Sequence, residues 1–220
     1  METTKVNKAI IIGAGSYAQV YLSYLQEAQV EVLGFLDDDV NLIGKYINEV
    51  KVLGNLSLLD SEMLKNNVRD VYCPIGNNKT RVDVLTRAQS LGYLTPNFIH
   101  KSVEISSSVL LGKGVYILPN TTILPYCSIS DFVMISAGTN IIHHASLEQG
   151  VFVSNGCNVG AFVRIKENAF VGMGATIMSG PISIGINSII GAGAVVIKSV
   201  EDNLTVVGNP SRIIKSSKNE

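Results

Sequence analysis

The sequence has 220 residues and a formal net charge of −1, which excludes the basic surface typical of nucleic-acid or anionic-membrane binding. Its 46% hydrophobic and 16% charged content excludes a disordered chain and predicts a well-buried core in one large or two small domains. Three cysteines are too few for a disulfide framework, and residues 1–8 lead into the first strand without an apolar segment of signal-peptide length. We therefore expect a cytoplasmic protein with reduced thiols and no membrane span.

The first elements of the chain are a strand, a glycine-rich turn and a helix. A buried strand over 7–13 runs into a G-x-G-x-x-A pattern at 13–18, and a helix follows to about Gln26. Glycines let the backbone approach a phosphate, and the N-terminus of the helix offers free N–H groups to an anion. A second strand over 30–37 ends in acids, where a ribose hydroxyl is usually held. The candidate nucleotide-binding residues of this stretch are Gly13, Gly15, Asp37 and Asp38.

The alternation of strands and helices continues more loosely to residue 98. Short strands are predicted at 52–53 and 70–75, and helices at 56–65 and 79–91. Asn77 and Asn78 follow the strand over 70–75, at the end where open α/β sheets bind ligands. Residues 1–98 thus predict an α/β mononucleotide-binding (Rossmann-like) domain with about four parallel strands, too short for both halves of a dinucleotide fold. In the alternative interpretation, the glycines serve only a tight turn.

The second half of the chain has a period of six. From Ile105 to Ile177 every sixth residue is Ile, Leu or Val, and the residue four positions after each of them is small or β-branched. Neither an α-helix nor a plain strand has this period, whereas a β-helix does, with one short strand and one turn per hexad. One extra residue at 179–181 breaks the count, which resumes at Ile184. Residues 99–220 are therefore predicted to form a β-helix domain.

The order of these parts, with the segment VVGNPSRIIK near the end, resembles one family. It resembles the sugar O- and N-acyltransferases of the sialic-acid O-acetyltransferase and bacillosamine-pathway N-acetyltransferase type, also in IIIGAGSYA, GFLDDD, GNN and FIHKSVEISSSV. The resemblance implies a left-handed parallel β-helix of hexapeptide repeats. It implies that the first domain holds a nucleotide-linked amino sugar, with Ser16 and Tyr17 at the place of a family Gly-His pair. It further implies that acetyl-CoA binds between neighbouring subunits of a homotrimer.

The resemblance also implies a histidine that acts as the general base. The family motif I-N-T-G-A-V-V-(D/E)-H-D, laid without gaps on residues 135–144, places that base at His143, with His144 as the second candidate. Direct acetyl transfer without a metal is then expected. The family has an acid beside the base, which this chain lacks, so Glu148 and Asp131, from a neighbouring turn or a neighbouring subunit, are the candidates for an orienting carboxylate. The third histidine, His100, matches a junction motif and is expected to be structural.

Further positions correspond to contacts of the family with coenzyme A. Ser136 stands for a family asparagine, Phe152 for a second histidine, and Ala161 for a glycine whose backbone N–H stabilises the oxyanion. The tail segment near the adenine and phosphates of coenzyme A corresponds here to Gly208, Asn209, Pro210, Arg212 and Lys215.

The predicted function is acetyl-CoA-dependent N-acetylation of a nucleotide-linked 4-amino-4,6-dideoxy sugar in glycan or surface-polysaccharide assembly. One alternative is O-acetylation of sialic acid or another sugar. A second is a catalytically reduced scaffold that binds a nucleotide sugar without turnover, against which the retained His143 argues. A dinucleotide-dependent oxidoreductase is excluded because the hexads leave no room for a second Rossmann half.

Overall fold

A computed structural model describes residues 8–216, and it divides the chain into two compact units, Met1–Pro96 and Asn97–Glu220. Residues 1–7, on which the expectation about a signal peptide depends, lie outside the described range, as do 217–220. Within that range no helix is long and apolar enough to cross a membrane.

The first unit is a five-stranded sheet with helices. Its elements are β1 Lys8–Ile12, α1 Ser16–Glu27, β2 Glu31–Leu36, β3 Tyr46–Ile47, β4 Val50–Gly54, α2 Glu62–Asn67, β5 Asp70–Tyr72 and α3 Asn78–Ser90. The strand order is β3-β4-β2-β1-β5, in which β4, β2, β1 and β5 are parallel and β3 is antiparallel to β4. Residues 9–12 of the central strand β1 are buried, as in parallel sheets whose faces are covered by helices. The predicted set of about four parallel strands is confirmed, and β3 is an addition to it.

The prediction of one continuous helix over 56–65 is wrong. A 3-10 turn, Leu56–Asp60, precedes α2, and Ser61 stands between them in an extended conformation. The Ser61 hydroxyl accepts a hydrogen bond from the Leu64 N–H at 3.3 Å and so caps α2. Asn55 caps the 3-10 turn in the same way through the Ser57 N–H. Two capping side chains six residues apart therefore make two short elements where the apolar pattern suggested one.

The second unit is a three-sided, left-handed parallel β-helix. Its strands are β6 Phe98–Ile99, β7 Glu104–Ile105, β8 Leu110–Leu111, β9 Tyr116–Ile117, β10 Thr122–Ile123, β11 Ser128–Ile129, β12 Met134–Ile135, β13 Asn140–Ile141, β14 Ser146–Leu147, β15 Phe152–Val153, β16 Asn158–Val159, β17 Arg164–Ile165, β18 Phe170–Val171, β19 Thr176–Ile177, β20 Ser183–Ile184, β21 Ile189–Ile190, β22 Val195–Val196, β23 Leu204–Val207 and β24 Arg212–Ser216. Face 1 contains β7, β10, β13, β16, β19 and β22, and face 2 contains β8, β11, β14, β17 and β20. Face 3 contains β6, β9, β12, β15, β18, β21, β23 and β24.

The hexad columns form the interior of this prism. The second residue of each short strand points inward, as Ile141, Val159 and Ile177 do on face 1, where all three are buried. Successive strands of a face pair in register at a separation of 18 residues, so each aliphatic side chain stacks on its counterpart one coil away. Burying such a side chain stabilises the fold by roughly 1.5–3 kcal/mol. The predicted β-helix is thus confirmed.

The extra residue predicted at 179–181 lies in one turn between face 1 and face 2. Beyond it the pairing separation rises by one, since Arg164 pairs with Ser183 and Phe170 with Ile189. The core is undisturbed, because Ile184 and Ile190 resume their inward positions with no exposed surface. The prism ends in the antiparallel hairpin β23–β24 on face 3.

Candidate active site

A cavity of about 330 Å³ lies at the carboxyl ends of β1, β2 and β5. Its lining includes Gly13, Gly15, Ser16, Tyr17 and Asp37, all of them among the residues expected to contact a nucleotide. Gly13 has a φ of +87°, and a Cβ there would lie 3.1 Å from Cγ1 of Ile75 on the opposite wall. Glycine is required at this position because both the backbone conformation and the space exclude a side chain.

Asp37 ties the glycine-rich turn to the end of β2. One carboxylate oxygen accepts a hydrogen bond from the Ala14 N–H at 2.7 Å, and the other accepts from the Asp39 N–H at 2.8 Å. The α1 N-cap is Gly15, and no side chain of the described residues caps the helix there. The N-terminus of α1, where the helix dipole favours an anion, therefore lies at this edge of the sheet.

The other three expected nucleotide contacts serve the loops and are not among the residues that line the cavity. Asp38 accepts a hydrogen bond from the Leu56 N–H at 3.0 Å. Asn77 is the N-cap of α3 and accepts from the Thr80 N–H at 3.0 Å. Asn78 is buried and accepts from Nη2 of Arg81 at 2.9 Å.

Arg81 supports one wall of this cavity, a role that the sequence analysis missed. Its side chain is fully buried, and Nη1 donates to the carbonyl oxygen of Ile75 at 2.8 Å. The guanidinium thereby supports the loop between β5 and α3, which forms one wall of the cavity. A signal existed, because Arg81, Leu85 and Ala88 are spaced as one buried face of the α3 helix.

The two candidate catalytic histidines lie at one corner of the prism, between β13 on face 1 and β14 on face 2. His143 is half-buried and His144 is exposed. Their Nδ1 atoms are 3.0 Å apart, which is hydrogen-bond distance. Because a neutral imidazole carries one N–H, one Nδ1 is protonated and the other accepts. We call this edge of the prism, from Tyr126 to Gly180 on successive coils, the histidine corner.

Aromatic side chains flank His144 on the coils above and below. Tyr126, His144 and Phe162 occupy equivalent positions, and their φ angles are 66°, 60° and 62°. The His144 ring is stacked on Phe162 and tilted against Tyr126, with both centroid distances at 4.9 Å. His143 meets the Phe162 ring edge-on at 5.4 Å. The sequence analysis followed the inward columns and missed this outward one, although steps of 18 residues from His144 lead to both aromatic residues.

Within one chain, neither candidate carboxylate is bonded to His143. Glu148 pairs with Arg164, and Asp131 accepts a hydrogen bond from the Lys113 N–H at 2.8 Å. In the described part of the chain, the partner of the His143 imidazole is the other histidine.

The residues expected to contact coenzyme A divide between two sides of the prism. Ala161 lies at the histidine corner one coil after His143, and its N–H donates to the Ser179 hydroxyl at 3.0 Å. Phe152 lies in β15 of face 3 and meets Phe170 edge-on at 5.3 Å. Ser136 is buried directly after β12 of the same face.

The tail residues join face 3 as well. Gly208 adopts a φ of +94° and, with Asn209 and Pro210, lies between β23 and β24. Arg212 and Lys215 are exposed on β24. One edge of the prism therefore holds the histidines and Ala161, while the face opposite it holds Phe152 and the basic tail. The structure does not bring these two sets together within one chain.

Comparisons with known proteins agree with this architecture. Residues 8–88 match the PglD N-terminal domain, and residues 93–182 match the GMPPB C-terminal domain. A relative from Acanthamoeba polyphaga mimivirus, itself uncharacterised, is 28% identical over 136 residues, or 61% of this chain. That alignment spans only 26% of the mimivirus protein.

Solved structures match almost the whole chain. PerB from Caulobacter crescentus, in complex with CoA and GDP-perosamine, is 29% identical with a TM-score of 0.88, covering 96% of this chain and 98% of PerB. The acetyltransferase domain of PglB from Neisseria gonorrhoeae, in complex with acetyl coenzyme A, is 27% identical with a TM-score of 0.87, covering 95% of this chain and 100% of that domain. WeeI from Acinetobacter baumannii shares the fold at 24% identity, with a TM-score of 0.85 and coverage of 95% and 100%.

The fold and these likenesses indicate a hexapeptide-repeat acyltransferase. Within that class, the chain is similar to the sugar N-acetyltransferases PerB and PglB, and its residues 8–88 form a PglD-type N-terminal domain. The resemblance found in the sequence is confirmed, and so is the prediction of an acyltransferase.

Proposed function

We propose that the protein transfers the acetyl group of acetyl-CoA to the amino group of a nucleotide-linked 4-amino-4,6-dideoxy sugar, with His143 as general base. The observation that carries the proposal is the likeness to PerB over 96% of this chain, since PerB was solved in complex with CoA and GDP-perosamine. Perosamine is an amino sugar of the proposed class. Acetyl-CoA and nucleotide sugars are cytoplasmic metabolites, so the expected compartment is the cytoplasm, and the product would enter surface-polysaccharide assembly.

The nucleotide would occupy the cavity of the first unit. The N-terminus of α1 would bind its phosphates, and Gly13 and Gly15 allow the backbone to approach them. Asp37 fixes the glycine-rich turn and lines the cavity, so it is the acid that would bind a ribose hydroxyl. Tyr17 lines the cavity and offers a ring for stacking. Asp38, Asn77 and Asn78 would act indirectly, by fixing the loops around the site.

His143 is the proposed base because its Nδ1 is already bonded while its Nε2 is available. Among the described residues, Nε2 makes no hydrogen bond. As the sugar amine attacks the thioester carbonyl, an N–C bond forms and Nε2 accepts the amine proton. The C–S bond then breaks, and the same proton passes to the departing thiolate, which gives free CoA. A general base of this kind contributes roughly 10²–10⁴-fold to the rate.

A homotrimer would complete the site. The histidine corner is the edge of the prism opposite face 3, so a cofactor touching both must lie between two copies of the chain. Arg212 and Lys215 of one copy would bind the phosphates of CoA near the His143 of its neighbour. The Ala161 N–H would donate to the oxyanion only if it divided its hydrogen bond between the oxyanion and the Ser179 hydroxyl. Light scattering should give the mass of three chains, whereas a monomer would contradict the shared site.

An acceptor panel tests the reaction. Thiol release from acetyl-CoA is followed with GDP-perosamine, with the same sugar carrying a hydroxyl in place of the amine, and with free sialic acid. We expect turnover with the amino sugar alone, and an amide carbonyl in the NMR spectrum of the product. Turnover with the hydroxyl compounds alone would replace the proposal by O-acetylation. Binding of the nucleotide sugar without turnover on any acceptor would favour the scaffold.

A further inference from the structure

We propose that His144 is the positioning residue of the site, taking through its imidazole the place of the carboxylate that the chain lacks. The inference rests on the proposed function of His143. Its geometric basis is the Nδ1–Nδ1 distance of 3.0 Å. Glu148 and Asp131, the acids expected to do this work, are bound to Arg164 and to the Lys113 N–H.

The fold does not require a histidine at this position. The equivalent turn residues of other hexads also have positive φ, and they include the glycines Gly138, Gly150, Gly156 and Gly174, Asn168, and the aromatic Tyr126, Phe132 and Phe162. Glycine and asparagine are the usual residues in this conformation, so a histidine here accepts a small backbone cost. The turn accepts a ring at this position without requiring one, and nothing in its backbone selects the imidazole of His144.

The aromatic neighbours fix the orientation of that ring. Phe162 stacks on one side at an interplanar angle of 22°, and Tyr126 contacts it from the previous coil at 42°. Each aromatic contact is worth about 0.5–1.5 kcal/mol. Tyr126 and Phe162 are themselves more than half exposed, so they cover His144 without belonging to the core. The contacts with Tyr126 and Phe162 hold Nδ1 of His144 towards His143.

The hydrogen bond can run in either direction, and the proposal assigns the direction in which His143 donates. With the proton of His144 on Nε2, its Nδ1 accepts the N–H from Nδ1 of His143, and the lone pair of His143 is then on Nε2. When Nε2 takes the amine proton, the imidazolium still donates from Nδ1 to His144, and this charge-assisted bond is stronger than the neutral one. The proton leaves again to the CoA thiolate, so His144 neither gains nor loses one during the cycle.

Two substitutions separate the hydrogen bond from the aromatic stack. His144→Asn keeps a polar atom near the position of Nδ1 and suits the positive φ, but it removes the ring. His144→Phe keeps the ring between Tyr126 and Phe162 and removes both nitrogens. We expect kcat of His144→Asn within about threefold of the original, and kcat of His144→Phe lower by about 10–100-fold at unchanged KM for both substrates. Equal losses in the two variants, or full kcat in His144→Phe, would overturn the proposal.

A second readout does not depend on turnover. Long-range ¹H–¹⁵N spectra of the imidazoles should show the Nδ1–H tautomer of His143 in the original protein and in His144→Asn, and a mixture of tautomers in His144→Phe. An Nε2–H tautomer of His143 in the original protein contradicts the inference directly. If the tautomer is as expected but no acceptor is turned over, the proposed reaction fails while the positioning role stands.

Discussion

The thiol of Cys127 donates a hydrogen bond to the carbonyl oxygen of Ile142, with a sulfur–oxygen distance of 3.2 Å. Cys127 lies inside the prism with almost no exposed surface, and Ile142 directly precedes His143. The bond thus connects the interior of the β-helix to the backbone that carries the proposed base.

Cys127→Ala tests that connection. We expect the substitution to loosen the turn before His143 and to lower kcat by about three- to tenfold, a size typical of supporting contacts. The matched control is Cys157→Ala, because Cys157 makes a similar bond to the Gly172 carbonyl at a different corner. Each variant should lose about 1 kcal/mol of unfolding free energy, so only the kcat comparison is specific. Equal kcat values in the two variants would remove the proposed connection.

All three thiols should be unreactive in the native protein. Burial raises the pKa of Cys73 to about 12, and it raises the pKa of Cys127 and of Cys157 as well. The thiolate is the reactive form, and the thiols are also covered by neighbouring atoms. Titration with an aromatic disulfide at pH 8 should therefore detect almost no thiol until denaturant is added, and then three per chain. Fast reaction of a thiol in the folded protein contradicts this burial.

The inward columns should dominate the stability of the β-helix. Leu147 in β14 is 1% exposed, so Leu147→Ala should lower the free energy of unfolding by about 2–5 kcal/mol. Leu110 in β8 points outward and is 71% exposed, so the same change there should stay within about 0.5 kcal/mol. Urea unfolding at one fixed protein concentration measures both, since an oligomer gains stability with concentration. Similar losses in the two variants would show that the columns are assigned to the wrong side.

Asp70 should make the first unit more stable in its protonated form. Burial raises the pKa of its carboxyl above 3.8, against the opposing effect of Arg69. Between 3.8 and the raised pKa the folded state binds more protons than the unfolded state, so stability falls as the pH rises through that interval. Asp70→Asn should then be more stable than the original at pH 7, and this advantage should shrink at pH 3.

The control for Asp70→Asn is Asp83→Asn on the exposed side of α3. Urea unfolding compares both variants with the original at the two pH values. If Asp70→Asn is less stable than the original at pH 7, the carboxylate has a favourable partner there and the account of its burial is wrong.

Much of the fold could be predicted because its determinants are local and periodic. Ile141, Val159 and Ile177 recur at fixed intervals, and each must face the same interior, so the repeat alone specifies the prism. The glycine-rich turn could be predicted as well, since Gly13 adopts a backbone angle that other residues avoid. Even the extra residue near Gly180 was visible as a break in the count.

The candidate site could be predicted only in part, because one polar side chain can either cap a backbone N–H or contact a substrate. Asp38 and Asn77 stand where ligands bind, yet their oxygens accept hydrogen bonds from backbone N–H groups. Whether a polar side chain caps a helix or contacts a substrate depends on distances that a pattern does not contain. Likewise the N–H of Ala161 is bonded to Ser179, a partner 18 residues away. The His144 partnership needed the fold, because adjacent residues rarely bond through their side chains.

The most direct test of the account compares the original protein, His143→Ala and His100→Asn. His100 accepts a hydrogen bond from the Ser102 N–H, and asparagine can make the same bond, so this control changes a histidine outside the proposed site. At saturating acetyl-CoA and amino-sugar nucleotide, kcat of His143→Ala should fall by about 10²–10⁴-fold, while calorimetric binding of both substrates stays within about threefold and His100→Asn stays near the original. A His143→Ala protein that keeps the original kcat would contradict the central claim.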